Sequence, residues 1–582
     1  MGSLALAAFA GICLMDRAIR LQEAAPARRL PANLGDRLLI GAGMATLLGW
    51  LTLALVCPLL AMLWRALSDT PGQGGGLKAA TAMLTSEHFR WLLSNSLASA
   101  LAVTCLVLPI AYGFAYGLQR ACVPGRALWR GVALLPLLAP SMLPGIALIY
   151  LFGNQGVLRG WLPGNLYGFW GIVLGQAIYC FPHALMVLMS TLALADRRLF
   201  DAAASMGASP WRAFLTITWP SSRQGVFAAG CLVFTLCVTD FGVPVVVGGD
   251  YQTLALEAYK AVVGQQQFGR GALVGLMLLV PALLSFGVDL WLRRRQRDTM
   301  GGRAQAWHPQ PSLFRDRAYL LLILLACAAL IGVFGMAVYA SLARFWPYDL
   351  SLSLQHYAFS DLPGGWQAYR NSLALALGTA SGGVVLVFLA ACLLEKTRAT
   401  ALTRTLRLLL FIPMAVPGLV LGLGYVFFFN LPDNPLHLLY GSLPLMAMCT
   451  IAHFLTTAHF SASAAVRQLD SEFEAAALSL KVSLLRHFLR VTLPLCLPTL
   501  LDVFRYLFVS AMTTVSAVIF LYSPDSMLAA IAVLNLDDAG NTGGAAAMGS
   551  LIQLTSALAS LLLAALSRRA VRRSQAWRAA TH

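Results

Sequence analysis

The stretch DAAASMGASPWRAFLTITWP (201–220) returns in the later part of the chain as AAALSLKVSLLRHFLRVTLP (475–494). Two further matches keep nearly the same offset. Asn95-Ser96-Leu97 reappears as Asn371-Ser372-Leu373, and Pro140-x-x-x-Pro144-Gly145 as Pro413-x-x-x-Pro417-Gly418. Three ordered matches at one spacing mark a duplicated unit.

What lies between the matches is apolar. Of 582 residues, 59% are hydrophobic and 11% charged, against about 45–50% and 25% in soluble domains. Twelve stretches approach the roughly 20 apolar residues that cross a bilayer. They are 38–64, 92–118, 131–153, 167–191, 225–247 and 271–292 (spans 1–6), then 317–341, 371–394, 406–429, 438–463, 497–522 and 546–567 (spans 7–12). Each copy of the opening stretch falls between the fourth and fifth spans of its half. Six spans separate the copies, so both face the same side.

The net charge of +17 is set in short basic clusters between apolar runs, which argues for membrane topology and against nucleic acid. Of the 41 Lys and Arg, 32 fall on the N-terminal tail, the loops after even-numbered spans and the C-terminal tail. Eight fall on the opposite side: Arg65, Lys78, Arg90, Arg159, Lys260, Arg270, Arg344 and Arg370. Arg505 lies inside span 11. This bias places both termini, and both copies of the repeated stretch, in the cytoplasm. The expected layout is a tail (1–37), a six-helix unit (38–292), a basic cytoplasmic linker (293–316), a second unit (317–567) and a basic tail (568–582). The apolar run at 3–14 is short and lacks a basic flank, so it is read as an interfacial stretch or a start-site artefact and not a thirteenth helix. The eleven cysteines lie mostly in apolar segments and form no C-x-x-C pair, so they read as core residues.

The repeated stretch closely resembles the EAA loop of binding-protein-dependent permeases, E-A-A-x-x-x-G-x-x-x-x-x-x-F-x-x-I-x-L-P. In the first copy the pattern falls on Asp201, Ala202, Ala203, Gly207, Phe214, Ile217 and Pro220. The resemblance covers nearly all of 38–567 and implies two homologous permease units, as in type I ABC importers, in the bacterial inner membrane. It also implies that each loop forms a coupling helix seated in a cytoplasmic ATPase. The residue types suit that role: small alanines permit close approach, an early acid complements the helix dipole, and glycine permits a left-handed turn. In the second copy, aligned on Phe488 and Pro494, Ala475 takes the acidic place, followed by Ala476, and Lys481 takes that of the glycine; Glu474 can substitute for the acid. A lysine at positive φ costs on the order of 1 kcal/mol, which favours a different turn there.

The chain carries no G-x-x-x-x-G-K-[ST] loop, and none of its four lysines (Lys78, Lys260, Lys396, Lys481) follows a glycine. ATP is therefore expected on a partner ABC ATPase, two copies for two halves, with no cofactor, metal or catalytic site in this chain. The outer loops are short, so in the resembled family capture belongs to a separate periplasmic or lipid-anchored substrate-binding protein.

Ionisable groups inside spans are functional candidates. Asp502 and Arg505, towards the cytoplasmic end of span 11, share a helix face and read either as a self-neutralising pair or as part of the gate or of the interface between the halves. Asp240, in TDFGVP (239–244), either lines the pathway or caps an irregular helix end. His183, His453 and His459 read as packing residues. The segments 240–259 and 417–430 resemble the ferric-iron and phosphonate permease group, and 511–540 and Glu395-Lys396-Thr397 resemble most of all 2-aminoethylphosphonate permeases. Ferric iron, thiamine and polyamines are the rival cargoes, and an ion-coupled secondary transporter is the rival class.

Overall fold

A computed structural model describes residues 34–68, 76–161, 164–193, 197–296, 311–359, 364–397 and 400–574. The run at 3–14, nearly all of the 1–37 tail, most of the 293–316 linker and the end of the C-terminal tail lie outside the described residues. Among those described, ten helices are long and apolar enough to cross a membrane. They correspond to ten of the twelve expected spans and include Glu87–Arg120 (span 2), Phe169–Ala193 (span 4), Leu313–Leu342 (span 7), Gly365–Lys396 (span 8) and Leu443–Arg467 (span 10).

The other two expected spans, 3 and 9, are not continuous. Span 3 is divided into Arg126–Ala133, Leu135–Leu138 and Met142–Phe152. Span 9 is divided into Ala401–Phe411, Ile412–Met414 and Gly418–Phe429, with a bend of 113°. Proline causes both breaks, because it lacks a donor and forces its predecessor out of the helical region. Ala139, just before Pro140, is extended at φ −117° and ψ 151°. A bundle tolerates such a break only where backbone groups are re-satisfied inside the protein.

The repeated Asn-Ser pairs explain themselves at the outer ends of spans 2 and 8. Ser96 Oγ accepts from Leu254 N and Ser372 Oγ from Ala529 N, both at 2.8 Å. Asn95 Nδ2 donates to Gln252 O at 3.1 Å, and Asn371 Nδ2 to Asp525 O and Met527 O at 2.9 and 3.0 Å. Each pair thus caps the first turn of a short outer helix, Leu254–Tyr259 or Ala529–Asp538. These helices lie between the fifth and sixth spans of their halves and meet backbone needs that water cannot.

The halves exchange their first helices. Span 1 packs on Gly418–Phe429 of the second half, and the buried Tyr425 hydroxyl donates to Ala54 O at 2.7 Å. Ala54 sits in a π turn, Thr52–Val56. Span 7 packs reciprocally on Met142–Phe152 and on span 2, and Ile323, Cys327 and Leu330 join the core built around Ala100 and Phe114. Within a half, small residues set the spacing. A Cβ on Gly383 would stand 2.6 Å from Leu507 Cδ1, so span 8 meets span 11 at glycine distance. The one departure from the expected all-helical architecture among the described residues is an outer hairpin, β1 (Ala343–Phe345) and antiparallel β2 (Asp349–Leu352).

Candidate coupling site

Each copy of the repeated stretch folds in the same way. A nine-residue helix, Arg197–Ser205 or Ser471–Ser479, is followed by a left-handed residue, a one-turn helix, a π turn and the next span. Gly207 has φ +70° and Lys481 has φ +52°. Around the first, Ala208 N bonds Ala203 O and Gly207 N bonds Ala204 O, each at 3.0 Å. This is the paired closure that ends a helix on a left-handed residue. In the second copy Val482 N bonds Ala477 O at 2.9 Å. The different turn expected at Lys481 is therefore not taken. The strain of about 1 kcal/mol is smaller than the worth of the closing hydrogen bonds and of the orientation both copies require.

After the turn, Ser209 Oγ accepts from Arg212 N at 3.3 Å. The chain then widens into π turns at Phe214–Thr218 and Phe488–Thr492 before Pro220 and Pro494 open the following helices. Single π turns mark functional positions in helices.

The acids of the two copies have opposite fates. Asp201 is exposed and pairs only at the surface with Arg197, one helical turn back, at 3.3 Å. Glu474 is turned inward, 17% exposed, with its Oε1 3.3 Å from Lys396 Nζ. Ala202, Ala475 and Ala476 are exposed and Ala203 is buried. Beside them stand apolar side chains that the sequence reading missed. Leu199 and Phe473, Met206 and Leu480, and Trp211 and Leu485 are three pairs, each joining equivalent positions of the two aligned copies. All six are exposed, Met206 at 79% and Leu480 at 75%. Exposed apolar residues that recur at duplicated positions make this face a candidate partner surface. Their signal was in the sequence: apolar residues at aligned places in a loop otherwise free to be polar.

The remaining candidates sit apart from this site. The Asp240 carboxylate accepts from Gly242 N at 3.1 Å, Val243 N at 3.3 Å and Gln176 Nε2 at 3.3 Å, so it caps the short helix Gly242–Val247. Asp502 and Arg505 form an ion pair at 3.2 Å, 49% and 37% exposed, near the middle of Leu493–Thr513. His183 Nδ1 lies 3.2 Å from Tyr179 O, His459 Nε2 3.2 Å from Ser463 Oγ, and His453 packs on Phe454. Glu395 and Lys396 stand at the cytoplasmic foot of span 8, both in ion pairs.

The sequence profile described as "Binding-protein-dependent transport system inner membrane component" matches twice, over residues 108–298 and 383–572. The ferric transport system permease protein FbpB of Actinobacillus pleuropneumoniae is 27% identical over 89% of this chain and 77% of its own length. The molybdenum transport system permease protein ModB of Haemophilus influenzae is 32% identical over 36% of this chain and 95% of its own. The thiamine transport system permease protein ThiP of Salmonella typhimurium is 26% identical over 57% and 62%.

Proposed function

The chain belongs to the family of binding-protein-dependent transport system inner membrane components, and from that premise we propose how its two halves divide the work of an ATP-driven importer. The family makes it an inner-membrane permease for a small solute that works with an ABC ATPase and a substrate-binding protein, which displaces the ion-coupled rival. Two ATPase subunits, one on each cytoplasmic helix, is the arrangement proposed here. What supports it is the duplicated apolar triad, Leu199, Met206 and Trp211 against Phe473, Leu480 and Leu485, presented on the two equivalent cytoplasmic loops of one fold. One such surface per half gives two equivalent seats. ATP-driven closure of the ATPases moves the cytoplasmic helices and swings the halves between outward and inward openings.

For the cargo we propose ferric iron. The ferric transport permease FbpB matches 89% of this chain, across both halves. Relatives named for molybdenum and thiamine match 36% and 57%. The 2-aminoethylphosphonate reading gains no support from these relatives. One of its supporting segments, Glu395-Lys396-Thr397, is also committed to ion pairs at the cytoplasmic foot of span 8. The Asp502–Arg505 pair is assigned to the water-filled path. A half-exposed ion pair within span 11 would be costly against lipid, whereas a solvated cavity accommodates it. Asp240 is assigned to capping.

Uptake of ⁵⁵Fe supplied as ferric citrate, by cells with and without this gene, tests the cargo, with labelled thiamine and 2-aminoethylphosphonate in parallel. Loss of iron uptake alone is the expected result. Loss of another label with iron intact discards ferric iron. Uptake that survives ATP depletion at a maintained membrane potential would overturn the ATP-driven reading itself.

A further inference from the structure

Two buried cations, Arg120 and Lys396, stand at the cytoplasmic feet of spans 2 and 8. Their spacing along the chain is that of the Asn-Ser pairs at the other ends of the same helices. Each cation reaches the cytoplasmic helix of its own half. Each also reaches the same place on it, since Phe200 and Glu474 stand at equivalent positions of the two aligned copies. Arg120 Cζ lies 4.9 Å from the centre of the Phe200 ring, and Nη2 donates to Leu192 O at 3.1 Å. Lys396 Nζ lies 3.3 Å from Glu474 Oε1 and donates to Thr492 Oγ1 at 3.2 Å. Glu395 alongside accepts two bonds from Arg467, at the end of span 10, at 2.7 and 2.8 Å.

Position is shared and chemistry is not. A planar, weakly hydrated guanidinium stacks on an aromatic face, while a compact ammonium suits a carboxylate. Each cation therefore has the partner its own shape selects. Breaking a buried pair strands a charge, so such a contact holds while its neighbours move. The second clamp also grips Thr492, the last residue of the π turn beneath span 11. Lys396 thereby joins three elements, the foot of span 8, the cytoplasmic helix and the foot of span 11.

We propose that Arg120–Phe200 and Lys396–Glu474 are positioning pairs that carry the movement of the cytoplasmic helices into spans 2 and 8. On this view Glu474 is not a contact for the ATPase, whereas Asp201, 63% exposed, remains free to be one. The inference rests on the importer reading above.

The test uses the full chain with its ATPase and binding protein in proteoliposomes, with ⁵⁵Fe–citrate as probe, and reads uptake per ATP hydrolysed together with melting temperature. Glu474→Gln is expected to lower uptake per ATP about tenfold, within the range a coupling contact supplies, while the ATPase stays bound; it also lowers the melting temperature, because Lys396 loses its counter-charge. The exchange Lys396→Glu with Glu474→Lys is expected to recover most of that loss, and Phe200→Leu to lose about threefold. Unchanged uptake per ATP in Glu474→Gln overturns the proposal, as does an exchange no better than Glu474→Gln alone. If the wild type carries no iron, the cargo reading fails and the clamp is read from hydrolysis alone. Assembly with the wild-type chain should then change the ATPase rate and assembly with Glu474→Gln should not; equal responses would overturn the clamp.

Discussion

The first half ends its cytoplasmic helix on Gly207 and holds it by an aromatic ring; the second makes the same turn on Lys481 and holds it by a carboxylate. Backbone path, the closing bond of the turn (Ala208 N to Ala203 O, Val482 N to Ala477 O) and anchoring position agree between the halves, while the side chains that achieve them have diverged. The difference teaches that the geometry of the loop is what the duplicated fold requires. The motif residues are one way of meeting it, and the outward acid, Asp201, has no outward equivalent at the aligned position of the second half.

The largest effect should come from asking the first turn to take a residue the second does not have. Gly207→Val puts a β-branched side chain at φ +70°, a conformation such residues resist. We expect uptake per ATP to fall at least tenfold, since strain of about 1–2 kcal/mol falls on the element proposed to dock the ATPase. Gly207→Lys, which copies Lys481, should stay within about threefold of wild type, since the open space around Gly207 leaves only the left-handed cost. Equal uptake per ATP in the two variants would break the comparison.

Next come the outer ends. Ser96→Ala and Ser372→Ala each leave a buried N–H without its acceptor and should each cost about 1–3 kcal/mol, read as loss of melting temperature in detergent. Asn371→Ala should cost more than Asn95→Ala, because Asn371 satisfies two carbonyls and Asn95 one. The reverse order would show that the second outer helix is held by something else.

A smaller effect separates the same outer helices by pH. Asp537, in the second, has its carboxyl pushed up to about 6, first by burial and then by Asp538; the aligned residue in the first half is Val262. A raised carboxyl pKa means that the folded state holds the proton more tightly than the unfolded chain. The stabilisation is complete below about pH 4 and is lost as pH rises through about 6. Wild type should lose about 1 kcal/mol across that window, less than the full shift implies because the group is partly exposed. Asp537→Asn should lose none of it, and a variant whose melting temperature tracks wild type across the window would place the titration elsewhere. The smallest effect is Lys481→Gly, expected to raise stability by at most about 1 kcal/mol with coupling unchanged. A fall in melting temperature would mean that the lysine side chain has a contact of its own.

Much of this was legible before any coordinates. Apolar length marked ten continuous spans, the duplication set the symmetry, and the repeated stretch located the two short cytoplasmic helices and their turns. Gly207 was assigned its left-handed turn from residue type alone. Span continuity was misread at 131–153 and 406–429 because hydropathy counts apolar residues and is blind to missing donors, although the prolines were in view. The exchange of first helices was invisible because helix packing partners leave no mark in one sequence. The clamps were missed for a related reason. Arg120 and Phe200, or Lys396 and Glu474, lie far apart along the chain, with two spans between them, and only aligning the two halves position by position brings them together. Asp240 was left open between pathway and cap, and the two backbone N–H groups it accepts from required a structure to see.

The π turns at Phe214–Thr218 and Phe488–Thr492 have a mechanical meaning beyond their place in the motif. Each winds one surplus residue into the foot of a helix. Expelling that residue would turn the helix above by about 100° and shift it axially by about 1.5 Å, without breaking its remaining hydrogen-bond ladder. The two halves thus carry, directly after their cytoplasmic helices, a matched pair of screw threads with one step wound in reserve.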